Sequence, residues 1–233
     1  MHIFYTHNIL DTGVLSEEES YHCIKVLRMK TDDTIGIIDG IGNMYEARIV
    51  LADTKHTRVE ILSVQQDFGK RNYSLHLAVA PTKNIDRFEW LVEKSVEIGV
   101  DCITPLNCRF SERRTIKLER IEKIALSAAK QSLKAYLPKI NHMTDFADLV
   151  SQSAESQRFV AHCYNLPKEN LLKICKSQQS TLVLIGPEGD FSEQEIEHAL
   201  RIGFRSASLS DSRLRTETAG VVATNTVALA NII

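Results

Sequence analysis

Residues 181–203 read TLVLIGPEGDFSEQEIEHALRIG, in which an apolar strand is followed at once by a glycine-containing turn and then a helix. The turn is Gly186–Gly189, and Ser192 after it belongs to the residue types that most often cap a helix. Glu195 completes the sequence signature of a capping box, and Gly203 marks the end of the helix. The segment therefore predicts a strand–turn–helix unit of an α/β fold.

The turn at Gly186–Gly189 is expected at the carboxyl edge of a parallel sheet, where α/β proteins bind their ligands. It lacks the lysine of a Walker phosphate loop and the three glycines of a dinucleotide fingerprint. A tight turn with no ligand explains these glycines as well as a binding site does, so both interpretations stay open at this point.

The chain around this unit alternates between strands and helices from about residue 74 onward. Residues 85–98 place apolar side chains along one side of a helix, between strands predicted over 74–80 and 100–106. This order predicts a βαβ unit and a parallel sheet. We also expect a longer amphipathic helix over 118–133 and further strands over 158–163, 181–185 and 207–209.

The first seventy residues have the pattern of a small β domain. A helix is predicted over 16–27, where Ser16 and Glu19 match a capping box. Short strands follow over 34–39, 45–51 and 57–64. The sequence therefore predicts a two-domain α/β protein, with an antiparallel barrel or sandwich over 1–70 and an α/β domain over 71–233.

Composition excludes several classes of protein. None of the apolar runs among the 233 residues approaches the roughly 18 residues needed to cross a bilayer. The start, MHIFYTHNILDTGVL, lacks the features of a signal peptide, so we expect a cytoplasmic protein with no membrane partner. The five cysteines are scattered and never spaced as C-x-x-C, which favours buried thiols over disulfides or a metal site.

Charge is distributed unevenly along the chain. The formal net charge of -2 argues against a dedicated nucleic-acid binder. The sum is -4 over residues 1–70, +5 over 71–140 and -3 over 141–233. The basic middle segment is either a solvated helix face or a strip that contacts phosphates.

A second informative segment is LSDSRLRTETA, residues 209–219, ahead of an apolar helix predicted over Gly220–Ile233. Ordinary helix initiation explains its threonines and its glutamate. It does not explain Arg213 and Arg215, because cations are unfavourable near a helix start. The pattern indicates either a bound anion or a compensating carboxylate such as Glu188.

At this point the residues carry a resemblance. IGPEGDFSEQE at 185–195 and LRTETA at 214–219 resemble the cofactor-binding end of the RsmE family of the SPOUT methyltransferases. Four further segments are similar to the same family: HCIKVLRMK (22–30), DGIGNMYEA (39–47), RFEWLVEKSVEIGVDCITPL (87–106) and KQSLKAYLPKI (130–140). The resemblance covers nearly the whole chain.

The resemblance implies an S-adenosylmethionine-dependent enzyme that methylates N3 of a uridine in 16S, small-subunit, ribosomal RNA. It implies a homodimer that needs no metal and acts on the RNA or on the assembled small subunit. Residues 1–70 would form a PUA-like β-barrel that helps to bind RNA. Residues 71–233 would form a SPOUT domain with a deep trefoil knot that holds the cofactor. Two alternatives are a SPOUT enzyme acting on another RNA, such as transfer RNA, and a catalytically inactive RNA-binding relative.

The family's cofactor loops correspond to residues 184–189 and 209–219. Glycine suits such loops because no side chain blocks the approach of a ligand. Asp190 and Ser210 stand where the family commonly has glycine, so both positions depart from its pattern. The cofactor neighbours implied by the resemblance are Leu184, Ile185, Gly186, Glu188, Gly189, Leu209, Leu214, Arg215, Thr216 and Ala219.

The chemistry of the implied reaction points to candidate catalytic residues. Uridine N3 carries a proton and is a poor nucleophile until that proton is lost. Arg109 resembles the arginine that SPOUT enzymes place near the methyl group, and Arg215 is a second candidate to stabilise negative charge on the base. Glu188 and Glu217 are candidate bases or cofactor neighbours.

RNA contacts are expected from both domains. The helix over 220–233 is expected either at an intersubunit surface or in the core of one subunit. The candidate RNA-binding residues are His22, Lys25 and Arg28 in the first domain, and Arg113, Arg114 and Lys134 in the second.

Overall fold

The computed structural model describes residues 1–232, and its internal contacts divide the chain into two units. The first unit contains Met1–Lys70 together with Leu126–Leu137. The second contains Arg71–Ala125 and the chain from Pro138 onward. The domain boundary inferred from the sequence, near residue 70, stays a prediction, and the membership of 126–137 in the first unit is an addition to it.

The first unit is built on a four-stranded sheet with the order β1-β2-β3-β4. Its strands are β1 (Ile3–Tyr5), β2 (Thr34–Ile38), β3 (Met44–Leu51) and β4 (Arg58–Gln65). The β1–β2 pairing is parallel, whereas β2–β3 and β3–β4 are antiparallel. The three predicted strands are confirmed, but β1 was missed because three residues are too few to show an alternating pattern.

The helical part of the first unit is more broken than predicted. Between β1 and β2 it consists of α1 (Ile9–Thr12), α2 (Glu17–Tyr21) and a π-helical turn (His22–Val26). Ser16 caps α2, because its Oγ accepts the Glu19 N–H at 3.2 Å. The second half of the predicted capping box is wrong, since the Glu19 carboxylate instead accepts Lys130 Nζ at 2.6 Å.

The second unit is built on a parallel sheet with the order β10-β12-β9-β11-β5-β6-β7, and β8 pairs with β6. Every pairing among its described strands is parallel, which confirms the predicted class of sheet. The strands of two residues each, β7, β8 and β10, were not predicted. The bounds are β5 (Ser74–Val79), β6 (Cys102–Asn107), β7 (Lys139–Ile140), β8 (Thr144–Asp145), β9 (Gln157–Ala161), β10 (Glu169–Asn170), β11 (Ser180–Ile185) and β12 (Arg205–Ser208).

Helices complete the second unit, and α4 continues from it into the segment that belongs to the first. α8 begins four residues before its predicted start, and Ile233, the predicted last residue, lies outside the described residues. The helices are α3 (Ile85–Ile98), α4 (Leu118–Gln131), α5 (Phe146–Gln152), α6 (Leu171–Ile174), α7 (Glu193–Arg201) and α8 (Thr216–Ala230).

Local sequence signals explain the ends of α3 and α7. Asn84 caps α3 by accepting the Asp86 N–H, and Gly99 ends it with a φ of 129° that favours glycine. The predicted capping box of α7 is confirmed, because Ser192 and Glu195 each accept the backbone N–H of the other. Within residues 1–232, no helix is both long enough and apolar enough to cross a membrane.

Candidate functional site: a cleft at the carboxyl edge of the parallel sheet

Three loops at the carboxyl edge of the parallel sheet line a cleft of about 740 Å³. They follow β9, β11 and β12, which are neighbours in the sheet. The first turns of α3 and α8 also contribute side chains to the cleft. A cleft outside the carboxyl ends of parallel strands is the usual ligand site of an α/β fold.

The structure brings most of the predicted cofactor neighbours together. Leu184 does not line the cleft, because it is fully buried within the sheet. Gly189 is exposed beside Phe110 and is also outside the lining. The predicted neighbours that line the cleft are Ile185, Gly186, Glu188, Leu209, Leu214, Arg215, Thr216 and Ala219.

Gly186 and Thr216 join two of these loops. Thr216 Oγ1 donates a hydrogen bond to the Gly186 carbonyl at 3.1 Å. A Cβ added at Gly186 would lie 3.1 Å from the backbone nitrogen of Phe191. A side chain at this position would therefore press on the backbone of the turn, and glycine leaves that backbone open towards the cleft.

Asp190 has a structural role that explains its departure from the family pattern. Its φ of 67° lies in the left-handed region, which aspartate tolerates better than most residues. Its carboxylate accepts the N–H groups of Cys163 at 2.7 Å and Phe191 at 2.8 Å. At the second departure, Ser210 Oγ accepts the Ser212 N–H at 3.1 Å and so closes a local turn.

The three candidate catalytic residues have different surroundings. Glu188 is exposed at the rim of the cleft, and its Oε1 accepts the Lys83 N–H at 2.9 Å. Arg215 lines the cleft with an exposed side chain. Arg109 lies outside the lining on the loop after β6, where its backbone N–H donates to Glu195 Oε1 at 2.8 Å.

Glu217 is the carboxylate that the cleft buries most deeply. It is 8% exposed, and Oε2 has no hydrogen-bond partner within the described chain. Arg87 Nε of α3 lies 3.8 Å from Glu217 Oε1, which is too long for a hydrogen bond but close enough for attraction between the charges. Both side chains line the cleft, so a ligand can reach this pair.

His162 is a second buried polar group in the cleft, and sequence reasoning missed it. Its Nε2 is 2.9 Å from Ser206 Oγ, while Nδ1 has no partner among residues 1–232. Burial and the charge of Lys168 hold the pKa of His162 below its usual value, so the ring is neutral at pH 7. Its position directly after β9, at the same edge as the turn after β11, was the available signal.

The predicted RNA-binding residues lie in both units. His22, Lys25 and Arg28 are exposed in the first unit. Lys134 also belongs to the first unit. Arg114 is exposed in the second unit.

The remaining RNA-binding candidate, Arg113, is held by the backbone of a neighbouring loop. Its guanidinium donates to the carbonyls of Thr82 at 3.1 Å and Lys83 at 2.7 Å. The described residues contain no group of three or more His, Cys, Asp or Glu side chains that could hold a metal ion.

Comparison with known protein families defines the class of this chain. Residues 69–228 match the model of an RNA methyltransferase domain, and residues 15–62 match that of an RNA methyltransferase PUA domain. The chain is therefore an RNA methyltransferase with an N-terminal PUA domain.

Individual relatives give the family. The ribosomal RNA small subunit methyltransferase E of Mesomycoplasma hyopneumoniae (strain 232) is 32% identical over 204 residues, which cover 85% of this chain and 86% of that protein. The chain belongs to the ribosomal RNA small subunit methyltransferase E family.

Solved structures agree with this assignment. A probable rRNA-methyltransferase from Porphyromonas gingivalis is 38% identical, with a TM-score of 0.94 over 100% of this chain and 99% of that one. A ribosomal RNA small subunit methyltransferase E from Neisseria gonorrhoeae, solved bound to S-adenosyl methionine, is 26% identical, with a TM-score of 0.89 over 99% and 98% of the two chains.

Proposed function

We propose that this protein transfers a methyl group from S-adenosylmethionine to N3 of a uridine in 16S, small-subunit, ribosomal RNA. The observation that carries the proposal is the family match over residues 69–228, which includes all three loops of the cleft. The substrate is either the naked RNA or the assembled subunit, and the reaction takes place in the cytoplasm.

The cleft fits this cofactor. Its volume of about 740 Å³ lies within the range of pockets that bind small molecules. Its lining combines apolar side chains, such as Leu209 and Leu214, with the open backbone of Gly186. The buried Nδ1 of His162, which has no partner within residues 1–232, is available to a hydrogen-bonding group of such a ligand.

Electrostatics of the cleft suit a substrate that becomes anionic. S-adenosylmethionine supplies an electrophilic methyl group on a sulfonium. The guanidinium of Arg215 stabilises negative charge that develops on O2 or O4 of the uracil as N3 loses its proton. Arg109 is a further candidate for this role, because its loop lies beside the Gly186–Gly189 turn: its backbone N–H donates to Glu195, and the next residue, Phe110, packs against Gly189.

Three finer features follow from family membership and belong to the same proposal. The parallel sheet is threaded as a deep trefoil knot that includes the cofactor loops. Two copies of the chain form a homodimer in which α8 lies at the intersubunit surface. Exposed basic side chains of both units, including Lys25 and Arg114, contact the RNA backbone.

Deletion of the gene tests the proposed function directly. Mass spectrometry of small-subunit RNA is expected to show N3-methyluridine in the parent strain and none in the deletion strain. Purified protein should restore the mark on RNA or subunits from the deletion strain when S-adenosylmethionine is added. Persistence of the mark in the deletion strain, or its restoration only on transfer RNA, would refute the assignment.

The role of Arg109 is tested by Arg109→Ala. This change should abolish methylation and leave calorimetric binding of S-adenosylmethionine nearly intact, because the guanidinium acts on the RNA base. Arg201→Ala is a matched control, since Arg201 is exposed on α7 and outside the cleft lining. Unchanged turnover by the Arg109 variant removes this residue from the mechanism.

A further inference from the structure

Methylation at N3 replaces an N–H bond by an N–C bond, so one proton must leave the uracil in every turnover. This argument rests on the proposed function. A side chain that takes up the proton must reach N3 and must have an acceptor atom that no other group occupies. The group that receives the proton is therefore an acceptor in the cleft that no other group of the protein occupies.

Four carboxylates line the cleft, at Glu188, Asp190, Asp211 and Glu217. Both oxygens of Asp190 accept backbone N–H groups. Glu188 is exposed and one of its oxygens accepts the Lys83 N–H, and Asp211 is also exposed. Glu217 alone among the four is buried, and its Oε2 has no partner in the described chain.

Glu217 lies at the start of a helix and opposite a cation. It belongs to the first turn of α8, and the Nε atom of Arg87 lies 3.8 Å from its Oε1. Both the helix start and the guanidinium attract negative charge. The Thr216 to Gly186 hydrogen bond fixes the adjacent residue, so the start of the helix holds Glu217 in place.

His162 is the competing acceptor, because Nδ1 is also unpartnered within residues 1–232. Uptake of a proton would place a positive charge on a buried ring beside Lys168, which opposes that charge. Uptake by Glu217 instead removes a buried charge. Burial and Lys168 therefore oppose the charge that His162 would gain, whereas Glu217 would gain no charge by taking up the proton.

We propose that Glu217 is the proton acceptor of the methyl transfer. Glu217 Oε2 takes the N3 proton while the electron pair of the broken N–H bond stays on N3. N3 then forms its bond to the methyl carbon, and the electron pair of the broken carbon–sulfur bond goes to sulfur, which becomes a neutral thioether. Glu217 returns the proton to water after the methylated base has left the cleft.

The test uses Glu217→Gln with two RNA substrates, one with uridine and one with 5-fluorouridine throughout. Fluorine lowers the pKa of N3, so the modified base needs less help to lose its proton. On uridine RNA the variant should lose about 100-fold or more in kcat, within the range of general acid–base catalysis. On 5-fluorouridine RNA the ratio of the kcat of the unchanged protein to that of the variant should be at least about 10-fold smaller than on uridine RNA.

Calorimetric titration with S-adenosylmethionine provides a reading that does not depend on turnover. The affinity of the Glu217→Gln protein should stay within about twofold of the unchanged protein, because the proposed contact is with the RNA base. Glu197→Gln is the matched control, since Glu197 is exposed on α7 and lies outside the cleft lining. Glu217→Asp provides a second variant, whose shorter side chain should give a smaller loss that 5-fluorouridine also relieves.

Three results would overturn the proposal. An equal loss on both RNA substrates would indicate a structural role for Glu217. A loss of S-adenosylmethionine affinity in Glu217→Gln would indicate that Glu217 binds the cofactor. If 5-fluorouridine relieved the kcat loss of a His162→Gln variant and not that of Glu217→Gln, His162 would be the proton acceptor. Failure of the unchanged protein to methylate either RNA would refute the proposed function itself, so the two failures are distinguishable.

Discussion

Replacement of Glu155 by glutamine should destabilise the second unit, and the loss should depend on pH. His76 Nδ1 lies 2.6 Å from Glu155 Oε1, and His76 Nε2 lies 2.7 Å from Thr104 Oγ1. Both ring nitrogens thus face acceptors, which is the arrangement expected of an imidazolium. Burial of the ring opposes its charge, but interactions with Cys102 and Glu155 outweigh burial and raise the pKa of His76 to about 9.

The magnitude follows from linkage between proton binding and folding. A pKa raised from 6.5 to about 9 corresponds to about 3 kcal/mol of folding free energy. This stabilisation is fully present below pH 6.5 and is lost as the pH rises through about 9. Since Cys102 contributes part of it, we expect Glu155→Gln to cost about 2 kcal/mol at pH 6.

Urea denaturation at pH 6 and pH 10 measures the effect, and the melting temperature should fall by about 4–8 °C at the lower pH. The difference in free energy of unfolding between the unchanged protein and the variant should be smaller at pH 10, because His76 is neutral in both proteins there. The exposed change Glu197→Gln should move stability by less than about 0.5 kcal/mol. A difference that is equal at both pH values would refute the argument from charge.

Three further predictions concern the cap, the cleft and the RNA. Ser192→Ala should lower the free energy of unfolding, measured with urea, by about 1 kcal/mol, because it removes the cap of α7. Ser177→Ala, at an exposed position, should leave that free energy unchanged, and equal effects of the two changes would contradict the role of the cap. Gly186→Ala places a methyl group 3.1 Å from Phe191 N and so disturbs the turn. The affinity for S-adenosylmethionine, measured by calorimetry, should therefore fall at least about 10-fold, and an unchanged affinity would show that the turn can shift to accept the methyl group. RNA affinity should fall as the salt concentration rises, and Lys25→Ala should reduce the slope of log affinity against log salt concentration by about 1. An unchanged slope would show that Lys25 does not contact the RNA.

Local signals explain why much of the fold could be predicted from the sequence. The capping box of Ser192 and Glu195 joins residues three positions apart, and both hydrogen bonds are present. The helix over 85–98 matches α3, because its apolar spacing and its final Gly99 act within one element. Neither inference requires knowledge of how distant segments meet.

Contacts between distant segments explain what sequence reasoning missed. Glu19 matched a capping box but pairs with Lys130, 111 positions away. Arg87 is 130 positions from Glu217, and the pair forms only because α3 and α8 both begin at the cleft. His76 and Glu155, 79 positions apart, meet in the same way. A single sequence gives no signal for such pairs.

The discontinuity of the first unit limits how freely it can be exchanged between proteins. Gly42 N–H donates to the Ala135 carbonyl, Leu137 N–H donates to the Gly40 carbonyl, and Tyr136 Oη donates to Asp67. A gene fusion that transferred residues 1–70 alone would leave these partners behind. The PUA unit and the methyltransferase domain are therefore expected to be inherited and lost together, as one evolutionary unit rather than as two separable modules.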